Sequence, residues 1–393
     1  MKLLDVWMVV LTIGALPAQD PWRYVVDADP TGDALRTRAL PLTDRLPDDV
    51  EARVTLRGTK LRCGQLRFGD ASGTRVAFVL DEAADGTGHL FLDVDRDRVL
   101  EDDERFALQD GHVDVELAPA FARGRLAPDK RTLRFRRGAT GLVLGAVTRG
   151  YVAGTVAMGD RQVLARRYDG DGNGLYHDPA DRLWLDLDGD RLVDEVREVM
   201  PYRAVQQNAG RLWIVDGDDI GLRLGLRELT ERGAFKVAFT GKAKVTAVAV
   251  TLISREGLIV GLDAVDQEFT VPTGDYRITN LQVTYADDKG GESWCYVFSE
   301  PDATDAQPRH VVAADAVVEI DPVGEVTFTA NCAATATAGG AFSVTPRLYT
   351  GDGLLIVTCF RGPTADTFSG PGALVRLLDD KGTQLGSSNS GFA

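Results

Sequence analysis

The stretch Leu90–Asp102, LFLDVDRDRVLED, returns without a gap as Leu183–Glu195, LWLDLDGDRLVDE. In both copies three apolar residues run into aspartates at every second position. Neither helix nor strand interior suits the acidic half: Asp competes with the helical backbone and is depleted in strands, whereas it is at home in tight turns. The repeat therefore calls for short strands that feed acidic loops. A third loop, Asp169-Gly170-Asp171-Gly172-Asn173-Gly174-Leu175, lies just before the second copy and shares its alternating oxygen ligands.

The rest of the chain agrees with that architecture. Of its acids 44 are Asp and only 15 are Glu, a balance that favours loops over helices. Runs such as Arg53–Leu56, Arg75–Leu80, Val113–Leu117, Thr132–Phe135, Gly150–Val156 and Gln162–Arg167 are short, β-branched or aromatic, and divided by Gly, Asp and Pro. They read as strands. Leu222–Arg232 is the best helical candidate and reads equally well as a strand plus a loop. The fold class expected is mostly β and multidomain.

Past Leu229 the acidic loops thin out and Lys236–Ile253 begins a series of alternating apolar strands, which places a domain boundary near Glu231. In Phe269–Ile278, FTVPTGDYRI, Pro sets φ and Gly takes a position expected to need positive φ, so this is strand, turn, strand. Leu377–Thr383 reads as one more hairpin, and Gly386–Ala393 as a frayed end. The organisation expected is a signal peptide over 1–18, a β-rich domain with acidic loops over 19–231, a β-sandwich-like domain over 232–307 and a second sandwich-like segment over 308–393.

Oxygen ligands at positions 1, 3 and 5 of a tight loop converge on one point, and a carbonyl at 7 with later carboxylates completes the 6 to 8 ligands that Ca²⁺ takes. In the first loop Asp93, Asp95, Asp97, the Val99 carbonyl, Glu101 and Glu104 fall at 1, 3, 5, 7, 9 and 12, with Arg98 where the turn wants Gly. The second offers Asp169, Asp171, Asn173, the Leu175 carbonyl and, from position 13, Asp181, because Ala180 occupies position 12. The third offers Asp186, Asp188, Asp190, the Leu192 carbonyl, Asp194 and a late Glu198, with Arg191 in the Gly position. Asp and Gly also make ordinary exposed turns. Three or four like charges held within ~4–6 Å, however, repel by about 1 kcal/mol per pair even in water, and a turn does not need that. Ca²⁺ is the expected ion, since Mg²⁺ demands a tighter octahedron.

These loops resemble the EF-hand calcium loop, and more closely the EF-hand-like, dockerin-type and thrombospondin type 3 loops of secreted proteins, over 93–104 and 169–198. The strand-like triplets before the loops argue against true EF-hand helices. The Phe269–Ile278 segment resembles the edge turn of transthyretin-like, carboxypeptidase-regulatory-like sandwich domains. The arrangement as a whole resembles secreted bacterial proteins, which implies no activity.

Lys2, the apolar run Leu3–Leu16 and Pro17-Ala18 read as an export signal cut near Ala18, so the mature chain is expected to be secreted or periplasmic and without a membrane span. A net charge of -15 with no basic run excludes the nucleic-acid-binding class. Cys63, Cys295, Cys332 and Cys359 include no CxxC; Cys332 and Cys359 follow alternating strands and read either as a bridge or as two buried thiols. His89, His112, His177 and His310 are scattered, and neither GxSxG, a P-loop nor a dinucleotide turn occurs. Trp184, Trp213, Trp294, Tyr168 and Tyr176 read as core or, less simply, as a sugar-stacking face. Two functions fit: an exported calcium-binding protein with a structural or binding role toward a surface polymer, glycan or protein, or a calcium-stabilised hydrolase or its carbohydrate-binding accessory.

Overall fold

A computed structural model describes residues 22–27, 37–58, 62–70, 75–83, 87–121, 125–138, 141–193, 198–218, 223–287, 291–301, 307–334, 342–362 and 373–390. The segment 1–18, expected to be a signal peptide, lies outside them. The described chain is almost all strand, with a single 3-10 turn at Asp102–Glu104 among the named elements. No helix of it is long and apolar enough to cross a membrane.

The chain divides into two compact units, 1–202 with 216–226 and 203–215 with 227–393. The main switch falls close to Glu231, but the expected boundary at 307/308 is not a division. Strand Leu355–Arg361 pairs directly with Trp294–Ser299, so the two expected sandwich segments are interleaved in one sheet.

In the first unit, strands Arg62–Arg67, Arg75–Glu82, Gly88–Leu92 and Arg105–Ala107 form one antiparallel sheet. Arg38–Pro41, Val143–Thr148, Arg131–Arg137 and His112–Leu117 form another. Alternation along Arg75–Glu82 sends Val76 and Phe78 to a core shared with Leu90, Leu92, Leu117, Leu133, Phe135 and Leu144, while Val79 joins Cys63, Phe91 and Leu100 on the reverse face. With both faces covered, that strand reads as a continuous apolar run. A third sheet runs Arg23–Val26, Gly150–Met158, Arg161–Tyr168, Arg182–Leu185, Val199–Pro201. Each acidic loop leaves from a buried strand end: Asp93 follows Gly88–Leu92, Asp169 follows Arg161–Tyr168 and Asp186 follows Arg182–Leu185. Burying Leu90, Phe91 and Leu92 stabilises by roughly 1.5–3 kcal/mol each, which fixes where the first loop starts.

The second unit is a β-sandwich. Glu268–Pro272, Arg232–Val237 and Val317–Ile320 make a three-stranded sheet. The larger sheet runs Ile259–Leu262, Val245–Ser254, Gly274–Tyr285, Trp294–Ser299, Leu355–Arg361, Phe342–Thr350, Val326–Ala334. Phe235, Val237, Val250, Leu252, Tyr276, Ile278, Leu281 and Val283 close the core.

Several expectations need correction. Leu222–Arg232 contains no described helix; Leu224–Leu229 and Arg232–Val237 are strands, because the apolar residues there alternate. Of Arg53–Leu56 none is strand, the pairing ending at Ala52. Phe269–Ile278 is not a hairpin but a corner at which the chain passes from the small sheet to the large one, locked by the Tyr276 hydroxyl donating to the Pro272 carbonyl at 2.8 Å. Gly274 is not at positive φ. A Cβ there would sit 3.2 Å from the Tyr276 ring, a tight contact. The 377–383 hairpin is present, closed by Asp379 and a left-handed Gly382, and its second strand runs to Ser390 rather than fraying at Gly386.

Cys63, Cys295 and Cys359 are free, buried thiols. The side chain of Cys332 lies outside the described residues, but its strand and that of Cys359 flank Phe342–Thr350 on opposite sides. For Cys359 the buried-thiol reading holds.

Candidate metal centre

The three acidic loops share one backbone conformation. The position-3 carboxylate accepts the position-5 amide, Asp95 from Asp97 at 3.1 Å, Asp171 from Asn173 at 3.0 Å and Asp188 from Asp190 at 3.1 Å. The position-5 oxygen accepts the position-7 amide at 2.7 Å in every case, Asp97 from Val99, Asn173 from Leu175 and Asp190 from Leu192. Positions 4 and 6 take positive φ throughout: Arg96 and Arg98, Gly172 and Gly174, Gly189 and Arg191. A late acid reaches back to the position-2 amide: Glu104 to Val94 at 2.6 Å, Asp181 to Gly170 at 3.0 Å and Glu198 to Leu187 at 2.8 Å. The slip of one place that Asp181 and Glu198 show in sequence is absorbed by the loop.

Position 1 is buried in each, with Asp93 at 0%, Asp169 at 1% and Asp186 at 5% exposure. Their surroundings differ. Asp169 is saturated by the Asn173 and Gly174 amides and by the Thr148 hydroxyl at 3.1 Å. Asp186 accepts from the Gly189 and Arg191 amides. Neither oxygen of Asp93 closes a well-formed hydrogen bond, although both are buried; the Arg96 and Arg98 amides, at the positions that serve Asp186, only approach it. Oxygens of Asp93, Asp95 and Asp97 gather within 4.8 Å of one another, as do those of Asp186, Asp188 and Asp190. These two triplets could hold a metal ion.

Burial dominates the electrostatics. It raises the Asp93 carboxyl, lifts Glu104 to about 7, and lifts Asp169 to about 7 with the adjacent Asp171 adding to the effect. Asp181 is pushed to about 8 by burial and then by Asp169. Acids held this way want a positive partner.

The remaining expected ligands are less uniform. Glu101 is exposed and stands 3.7 Å from Arg53. Asp171 and Asn173 line a cavity with Arg38 and Arg67, whose charge answers that of Asp171. Val99 lies in a short strand, Leu175 is buried and Leu192 is exposed. Asp194 lies outside the described residues. Two groups escaped the sequence reading. Asp178, visible as an acid inside the second loop, accepts the Asn173 side-chain amide at 2.6 Å and the Ala180 amide at 2.9 Å. Thr148 comes from a neighbouring strand and had no sequence signal. The aromatics divide: Tyr168, Tyr176, Trp184 and Trp213 are buried, while Trp294 is half-buried and stacked on Tyr296.

Set against family models, curated proteins and solved structures, the chain matches none.

Proposed function

We propose that this is an exported calcium-binding protein whose ions rigidify the acidic loops of its first β unit and whose role is structural or binding, toward a surface polymer, glycan or protein. The observation that carries the reading is Asp93: fully buried, neither oxygen closing a well-formed hydrogen bond, only the Arg96 and Arg98 amides approaching it, and grouped with two further carboxylates. An uncompensated buried charge costs several kcal/mol, and a cation offsets that cost. Asp93, Asp95, Asp97 and Glu104 would hold one ion. Asp186, Asp188, Asp190 and Glu198 would hold a second, and the Asp169–Asp181 loop, with fewer free oxygens, a weaker third. All-oxygen donors on flexible side chains suit Ca²⁺ better than Mg²⁺.

The test is metal content after purification without chelator, with melting curves in chelator, Ca²⁺ and Mg²⁺. At a dissociation constant of ~0.1–1 mM, ~1 mM Ca²⁺ adds roughly 0.4–1.4 kcal/mol per site. A higher melting temperature in Ca²⁺ than in Mg²⁺ or chelator is expected; coincident curves reject the reading.

A further inference from the structure

A second site is built on the five-stranded sheet of the first unit. Arg23 lies opposite Ala153, Ala153 opposite Arg166, and Arg166 opposite Trp184. Directly paired residues share a face, so these four stand on the same side, and Tyr151 joins them by alternation. They line a cavity of about 530 Å³, into which Arg191 also reaches. That volume falls in the ~300–1,000 Å³ range of small-ligand sites.

The chemistry of the cavity is cationic and aromatic. The Arg166 guanidinium lies 4.4 Å from the Trp184 ring centre and 4.8 Å from that of Tyr151. Part of its N–H edge is taken by the Tyr168 hydroxyl, and the five-donor fork of a guanidinium leaves the rest for a planar oxyanion. No acid among the described residues lines the cavity. Arg23, Arg166 and Arg191 make no ion pair among the described residues, whereas Arg134, Arg167 and Arg277 each sit within 3.3 Å of a carboxylate. In a chain of net charge -15, three guanidiniums gathered without an acid among the described lining residues form a local exception.

We propose that this face binds an acidic saccharide, a short run of uronate units whose carboxylates meet the three arginines. A planar carboxylate matches the guanidinium fork. Arg23 and Arg166 stand two strands apart, about 9–10 Å, so one ligand needs more than one carboxylate to use both. Val25, Ala153 and Leu164 supply an apolar floor for the C–H faces of sugar rings. The proposal also accounts for Arg191, which occupies the glycine position of the Asp186 loop at φ 64°. Strain of that kind persists where the side chain has a use.

Arg191 is the one member of this site that belongs to an acidic loop, and the experiment keeps the two readings apart. The full chain is titrated calorimetrically, at fixed salt, with digalacturonate, too short to gather calcium strongly itself. Parallel titrations use the neutral galactose disaccharide and inorganic phosphate. Saturable, salt-sensitive binding of the uronate alone is expected. Arg166→Gln should weaken it roughly tenfold or more, the usual effect of deleting a charged hydrogen bond. Arg191→Ala and Arg23→Ala, both exposed, should weaken it severalfold with unchanged melting curves, and they decide the matter should Arg166→Gln fail to fold. Equal binding of neutral and acidic disaccharides, phosphate binding as tight as the uronate, or arginine variants that titrate like the wild type would overturn the proposal.

Discussion

The Trp184 indole N–H donates to Glu198 at 2.9 Å, and the other Glu198 oxygen accepts the Leu187 amide at 2.8 Å. One carboxylate thus ties the strand that leads into the Asp186 loop to the first turn of that loop. Glu104 makes the corresponding backbone contact in the first loop, but its partners there are all backbone amides: that of Val94 and, at longer range, those of Asp95 and Glu101. The second copy of the repeat is therefore anchored to its sheet more firmly than the first.

Glu198→Ala leaves two buried donors without an acceptor and should cost about 2–4 kcal/mol. Glu198→Gln, whose amide oxygen satisfies one donor, should recover part of the loss. Denaturant unfolding followed by tryptophan emission measures both, and equal stability of the alanine and glutamine variants would show that the contact carries little.

Asp93→Asn should change sign with calcium. In chelator the variant removes a buried unpaired charge and gains roughly 1–3 kcal/mol; in calcium it loses a ligand and melts below the wild type. Paired melting curves test the crossing. A variant that is less stable in both conditions argues that Asp93 serves only the turn.

Arg98 holds φ 74° and pairs with Asp49. A left-handed backbone costs an L-residue roughly 1–2 kcal/mol relative to glycine, and the exposed ion pair returns at most about 1 kcal/mol. Arg98→Gly should raise stability by about 0.5–1 kcal/mol and tighten calcium binding at the first loop. Calorimetry reads both, and a weaker site in the variant would show that Arg98 positions the loop.

Asp114 faces Arg134 across paired strands, with two hydrogen bonds of 2.7 and 2.8 Å. The hydrogen bond from Arg134 holds its carboxyl below the ordinary value. The stability this adds is present above the unfolded carboxyl value near 3.9 and is lost as pH falls through the lower folded value. Because the pair is partly exposed, Asp114→Asn should cost no more than about 1 kcal/mol at pH 7. The gap between variant and wild type should close on acidification below about pH 4. A gap that is constant with pH would mean packing, not charge, is responsible.

Cys63, Cys295 and Cys359 should resist a thiol reagent in the native chain and react on unfolding. Cys295 lies opposite Phe360 and Cys359 opposite Tyr296, so the last two thiols point to opposite faces of their sheet and cannot pair. Rapid native labelling of Cys359 would contradict its burial.

Much of the local order was legible in the residues. Short β-branched and aromatic runs divided by Gly, Asp and Pro marked Arg75–Glu82, His112–Leu117, Arg131–Arg137, Gly150–Met158 and Arg161–Tyr168 as strands to within two residues, because such side chains fit a pleated, buried surface and the dividing residues do not. The repeat around Asp93 and Asp186 foretold two loops of one conformation, since positions 1, 3 and 5 of a tight turn must face inward whatever surrounds them. What surrounds them was decided only by the fold. Asp169 meets Thr148 and Asp171 meets Arg38, whereas Asp93 has only the loose approach of its own loop's Arg96 and Arg98 amides, differences set by strands distant in sequence and invisible to spacing. The same holds for the passage of Pro272–Gly274 between two sheets, for the separation of the Cys332 and Cys359 strands, and for the gathering of Arg23, Arg166 and Arg191 on one face. Sequence fixes which way a side chain points from its own strand; which strand lies beside it follows from the packing of whole sheets, and that neighbour determines whether a charge is satisfied, repelled or left to bind something else.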